Sequence, residues 1–154
     1  MIIFDELGLI YSEIDQIYSS LEIRARSRGF NRKEARYARI RQLNDQAYFL
    51  FMFTRLEDRV RSLSDHLIDD KMTLLSDWKS KRSWEIIQKQ KKNDTLHFMN
   101  RVGLLTEKGR ADYNLIRQYY DQRNNIGHGG AFTITISIPT VIADLKRLYR
   151  DLQR

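Results

Sequence analysis

AYFLFMFTRLEDRVRSLSDHL, residues 47–67, places Phe49, Phe53, Leu56, Val60, Leu63 and Leu67 at alternating steps of four and three. That is the period of one face of an α-helix and not the two-residue alternation of a strand. No glycine or proline interrupts the chain on either side, so the helix extends outward, from a cap at Asn31 to about Asp69. A helix this long is a spine for shorter ones. Before it, residues 3–27 read as a first helix that closes at Arg28-Gly29. After it, Ser76-Asp77-Trp78 opens a shorter polar helix that breaks around Lys91-Lys92-Asn93-Asp94, and a brief helix through Leu96, Met99 and Val102 closes at Gly103. Thr106 and Glu107 then cap a helix from about residue 107 to Ile126, with Tyr113, Ile116, Tyr119 and Tyr120 as its apolar positions. Phe132 to Ile138 alternates like a strand, but no second strand exists to pair with it, so it is expected to be an extended connector. Pro139 suits the first turn of a closing helix whose face is Val141, Leu145, Leu148 and Leu152. The expectation is an all-α helical bundle, one domain over residues 1–154, with a long second helix and a short closing one.

With 154 residues, 42% of them hydrophobic, the chain is long enough for one sizeable core. It has no cysteine, which excludes disulfides, thiolate metal sites and cysteine nucleophiles. Asp5, Glu6, Glu13 and Asp15 stand where a signal peptide would be basic and then apolar, and no apolar run reaches membrane-spanning length. A soluble, cytoplasmic protein is expected. The formal charge of +7 favours polyanionic partners. It is concentrated in residues 22–42, where Arg24, Arg26, Arg28, Arg32, Lys33, Arg36, Arg39 and Arg41 face only Glu22 and Glu34. Arg32, Arg36 and Arg39, at helical spacing, form a stripe able to follow an RNA backbone.

The run RNNIGHGG, residues 123–130, carries the chemistry. Arg123 follows Ile116, Tyr119 and Tyr120 by seven, four and three residues, so it emerges on the face that should pack inward and needs a carboxylate, an interface or an anion there. R-N-x-x-x-H at the end of a late helix, followed by small residues, resembles the R-x4–6-H signature of the HEPN superfamily. The long second helix and the short closing helix also resemble that fold. The resemblance implies an all-α domain, commonly dimeric, of a kind that includes metal-independent ribonucleases in toxin and antiviral-defence systems. It implies Arg123 and His128 as the catalytic pair, with two motifs facing one another across a homodimer cleft. Some members are neutralised by an antitoxin and carry a tyrosine two residues after the histidine; Gly130 stands there in this chain.

The spacing alone is not selective, because Arg61 and His66 satisfy it too. Residues five apart on a continuous helix diverge by roughly 140°. Context picks Arg123 and His128, and the same arithmetic requires either a distorted helix end or a second subunit. RNA brings its own nucleophile, the 2′-hydroxyl. His128 can move the proton, and Arg123, always charged, can hold developing phosphorane charge. Asn124 and Tyr120 are candidates for positioning substrate. No metal and no cofactor is needed, and His66 and His97 lack ligand neighbours. Trp78, Trp84 and Phe98 are expected to pack between short helices. The competing readings are a non-catalytic HEPN module that binds RNA or a protein, with Arg123 paired to an acidic residue such as Glu57, and a DNA-binding or scaffold bundle.

Overall fold

A computed structural model describes residues 3–152 of the chain. It is all-helical: α1 (Ile3–Ser27), α2 (Asn31–Leu74), α3 (Trp78–Lys92), α4 (Phe98–Leu105), α5 (Ala111–Gly127) and α6 (Ile138–Asp151), with no strand among the described residues. No helix among them is long and apolar enough to cross a membrane. Two compact units are present, Met1–Phe53 with Asp121–Arg147, and Thr54–Tyr120 with Leu148–Arg154.

In the first unit α1 runs antiparallel to the start of α2. Tyr11 donates to Asp45 at 2.9 Å and sets its ring edge-on to Tyr48, while Arg41 bonds Asp15 at 2.8 Å and Glu22 at 3.0 Å. Burial pushes the Asp45 carboxyl above its ordinary value of 3.8, with Asp15 adding to the rise and Tyr11 and Arg41 opposing it. Phe4, Phe49, Met52, Phe53, Val141 and Leu145 make the apolar centre. Along the outer flank of α1, Ile3, Ile10 and Ile17 stand exposed at seven-residue intervals, with Leu7, Ile14 and Leu21 half-buried between them. Such 3-4 spacing is the seam by which helices pair.

The second unit is centred on Leu56, Val60, Ile68, Val102, Ile116 and Leu148. Its polar anchor is Arg101, only 4% exposed, which donates to Asp65 at 2.5 Å, Ser64 at 2.9 Å and the Leu96 carbonyl at 3.3 Å. This explains a departure from the expected stripe. Phe49, Phe53, Leu56 and Val60 are buried as their spacing predicts, but beyond Val60 the inward positions are Ser64 and Ile68, whereas Leu63 and Leu67 are half-buried. Repeated steps of four turn the buried face by roughly 40° each, and Ser64 tolerates burial because it accepts from Arg101.

The joints follow from local chemistry. Asp77 caps α3 by accepting from the Ser80 amide at 2.9 Å. At the end of α1, Gly29 takes φ +68°, its amide bonds the Arg26 carbonyl, and the Phe30 amide bonds that of Ala25. The positive φ is cheap for glycine, and the two bonds satisfy carbonyls the helix leaves open. α2 runs past Asp69 to Leu74, α4 continues through Gly103 to Leu105, and α5 starts at Ala111, because residues 107–110 form a turn through Gly109 instead of the capped first turn expected at Thr106. Trp84 and Phe98 are half-buried, whereas Trp78 is 64% exposed and not packed between short helices as expected, since it opens α3 on its outer side.

Candidate active site

α5 ends by the same device that ends α1. The Gly129 amide bonds the Ile126 carbonyl at 2.9 Å, the Gly130 amide bonds that of Asn125 at 2.9 Å, and Gly129 takes φ +84°. This is the paired six-to-one and five-to-two closure of a helix by a left-handed residue. It makes His128 the last residue before the turn, with its amide still bonded to the Asn124 carbonyl at 3.1 Å. The helix is therefore regular through Gly127 and does not bend to bring His128 under Arg123.

What reaches the end of the helix is the long arginine side chain. A Cβ placed on Gly127 would lie 4.0 Å from Arg123 Nη1, so the guanidinium extends along the helix to its last turn, beside the residue that precedes His128. There it meets the partial negative charge of the helix C-terminus, which favours a cation. Arg123 is half-buried and its Nη1 donates to Asn124 Oδ1 at 3.3 Å. His128 is exposed, and among the described residues its imidazole makes no hydrogen bond. The last turn of α5 thus presents a fixed cation, an amide and an accessible imidazole.

The segment after the motif forms no strand, as expected, but it bends at Thr133 and Ile134, and two amides explain how it is held. Gln122, 5% exposed, bonds Thr133 twice, Nε2 to Oγ1 at 2.7 Å and Oε1 from the amide at 2.8 Å. Asn125 Nδ2 donates to the Ala131 carbonyl. These side chains supply backbone partners that a second strand would otherwise have provided. Gly130 is enforced by contact: a Cβ there would sit 2.7 Å from Asn125 Oδ1 and 2.8 Å from its carbonyl oxygen. Phe132 then packs edge-on against Phe49 at 5.3 Å. Asn125 is the structural asparagine of the run, and Asn124 the one beside the cation.

Tyr120 lies in the second unit, where its ring stacks on Phe98 at 4.9 Å. Arg32, Arg36 and Arg39 stand exposed along α2, with Arg39 donating to Gln42 at 2.6 Å. The second R-x4-H match is absorbed by local contacts: Arg61 lies 3.7 Å from Asp94, and His66 Nδ1 is 2.7 Å from the Ser62 carbonyl oxygen. Among the described residues, no group of three or more His, Asp or Glu side chains gathers at metal-binding distance. Comparison of the chain with protein-family models, with curated proteins and with solved structures finds no match.

Proposed function

We propose that the chain is a HEPN-type, metal-independent endoribonuclease that acts in the cytoplasm as a homodimer, in a toxin or antiviral-defence setting with a neutralising partner protein. The observation that carries this is the end of α5, where the Arg123 guanidinium reaches alongside Gly127 and His128, the residue that follows, stands exposed. In the proposed reaction neutral His128 takes the proton of an RNA 2′-hydroxyl, and the oxygen attacks the adjacent phosphorus. Arg123 holds the non-bridging oxygens as charge builds. The bond to the 5′-oxygen breaks, that oxygen takes a proton from solvent water, His128 later returns its own proton to solvent, and the products are a 2′,3′-cyclic phosphate and a 5′-hydroxyl. Asn124, bonded to Arg123, positions the guanidinium.

Two subunits are part of the proposal because Arg123 and His128 leave a straight helix on different sides. The exposed heptad-spaced isoleucines of α1 give self-association a surface. A second reading, a HEPN module that binds RNA without cutting it, draws support from the imidazole of His128, which no described group orients. Incubating the purified protein with RNA in excess chelator separates the two. Cleavage by the wild type that is lost in Arg123→Ala and His128→Ala supports the nuclease; absence of cleavage, or equal cleavage by all three, removes it.

A further inference from the structure

The basic segment 22–42 has few carboxylates, and the structure shows how they are spent. Glu22 and Glu34 bind Arg26, at 3.2 and 2.7 Å, and Glu22 together with Asp15 binds Arg41. Arg24, Arg28 and Lys33 are left with no ion pair to any described residue. These three cations line one cleft of about 200 Å³ at the α1–α2 turn, together with Phe30 and Tyr37 and an apolar floor of Leu21 and Ala25. Phe30 is the residue that follows Gly29 in the closure of α1, so its backbone is fixed while its ring is 48% exposed, with Lys33 Nζ 5.2 Å from the ring centroid. Tyr37 is backed by Tyr18, ring to ring at 6.4 Å. An uncompensated cationic rim around one exposed aromatic ring, Phe30, and one half-buried and braced ring, Tyr37, is the chemistry that takes an unpaired base on its face and phosphates on its edge.

We propose that this cleft binds a single-stranded nucleic-acid segment, one base against Phe30 and the flanking phosphates on Arg24, Arg28 and Lys33. The proposal rests on the ribonuclease reading only for the expectation that the strand is RNA. An acidic peptide would satisfy the cations but has nothing to lay on Phe30, and duplex nucleic acid hides its base faces. Arg32 and Arg36, on the exposed side of the same stretch of α2, continue the charge and also lack an ion pair to any described residue.

The test uses the full-length protein and a fluorescent 12-nucleotide 2′-O-methyl RNA, whose blocked 2′-oxygen prevents cleavage, with anisotropy as the readout. Matching DNA, the same strand made abasic at its centre, and an acidic peptide of equal charge form the other arms. Phe30→Ala is expected to weaken binding about tenfold and to cancel the preference for the intact strand over the abasic one. Phe30→Leu, which keeps an apolar side chain on the turn, is expected to behave as Phe30→Ala does; wild-type affinity in Phe30→Leu would show that the ring is not a stacking platform and would overturn the proposal. The triple change Arg24→Gln, Arg28→Gln, Lys33→Gln is expected to lower the slope of log affinity against log salt by about 2, from roughly 0.7 per phosphate contact. Unchanged affinity and salt slope in the triple variant, or equal binding of the acidic peptide, would also overturn it. DNA bound as tightly as RNA would leave the cleft in place and remove its link to an RNA substrate. Binding that depends on the cleft in a protein that cuts no RNA would sink the nuclease and keep the cleft, and cleavage with a cleft-independent affinity would do the reverse.

Discussion

Three glycines within four residues at the end of α5 should respond to alanine with different signs. Gly127 is helical, and the added Cβ meets only Arg123 Nη1 at 4.0 Å, an ordinary contact. Gly127→Ala is expected to stabilise the protein by about 0.5–1 kcal/mol, the propensity gap between the two residues. Gly129 has open space around it but φ +84°, so Gly129→Ala should cost about 1–2 kcal/mol in left-handed backbone strain. At Gly130 a Cβ meets Asn125 Oδ1 at 2.7 Å and its carbonyl oxygen at 2.8 Å. Relieving both contacts gives up the Gly130 amide bond and the Asn125 bond to Ala131, at about 1 kcal/mol each and about 2 together. For a chain of this size each kcal/mol moves Tm by about 2–4 °C. Thermal unfolding followed by circular dichroism should therefore raise Tm for Gly127→Ala by a few degrees and lower it by about 4–8 °C for Gly130→Ala. RNA cleavage measured well below Tm should fall in Gly130→Ala, because the turn carrying His128 has shifted, and hold in Gly127→Ala. A destabilised Gly127→Ala or a neutral Gly130→Ala would show that α5 does not close as described.

Further outcomes follow from other contacts. Arg101→Leu strands Asp65 and Ser64 without their donor and is expected to cost about 3 kcal/mol, read as a drop in the urea midpoint; a loss below about 0.5 kcal/mol, the range of ordinary surface changes, would contradict the anchoring role. Asp45→Asn keeps an acceptor for Tyr11 while removing a carboxylate whose pKa burial has raised. Because the folded protein holds that proton more tightly than the unfolded chain, ionised Asp45 opposes folding, so the variant's advantage should be absent below pH 3.8 and open as pH rises above it. A pH-independent difference in Tm would count against that assignment. Mixing Arg123→Ala and His128→Ala chains should restore about a quarter of wild-type cleavage if each site takes its arginine and its histidine from different subunits, and none if each chain is self-sufficient.

The helices were legible where apolar period and cap chemistry agreed. Asp77, Pro139 and the glycine after Arg28 mark joints that the structure keeps, and Phe49 to Val60 face inward as their spacing demands, whereas Asn31, expected as a cap, is already the first residue of α2 and the Phe30 carbonyl accepts from the Glu34 amide in its place. What escaped were polar groups whose burial depends on a distant partner. Arg101 reads as a surface residue until Asp65, 36 positions away, is folded against it, and only then does Ser64 become an inward position. Gln122 and Asn125 escaped for a related reason: their amides bond backbone that has no regular structure to announce the need. The signal available was a cluster of three amides just before an extended run with no strand to pair it. At the motif, sequence arithmetic foresaw the divergence of Arg123 and His128 but not that a long side chain lying along the helix brings the cation to the last turn.

The proposed chemistry is tested most directly by the ends of the cut RNA. In excess chelator, wild-type protein is predicted to leave a 2′,3′-cyclic phosphate on one fragment and a 5′-hydroxyl on the other, with neither product formed by His128→Ala. Fragments ending in 3′-hydroxyl and 5′-phosphate, or no fragments at all, would contradict a reaction in which RNA's own 2′-oxygen attacks at the end of α5.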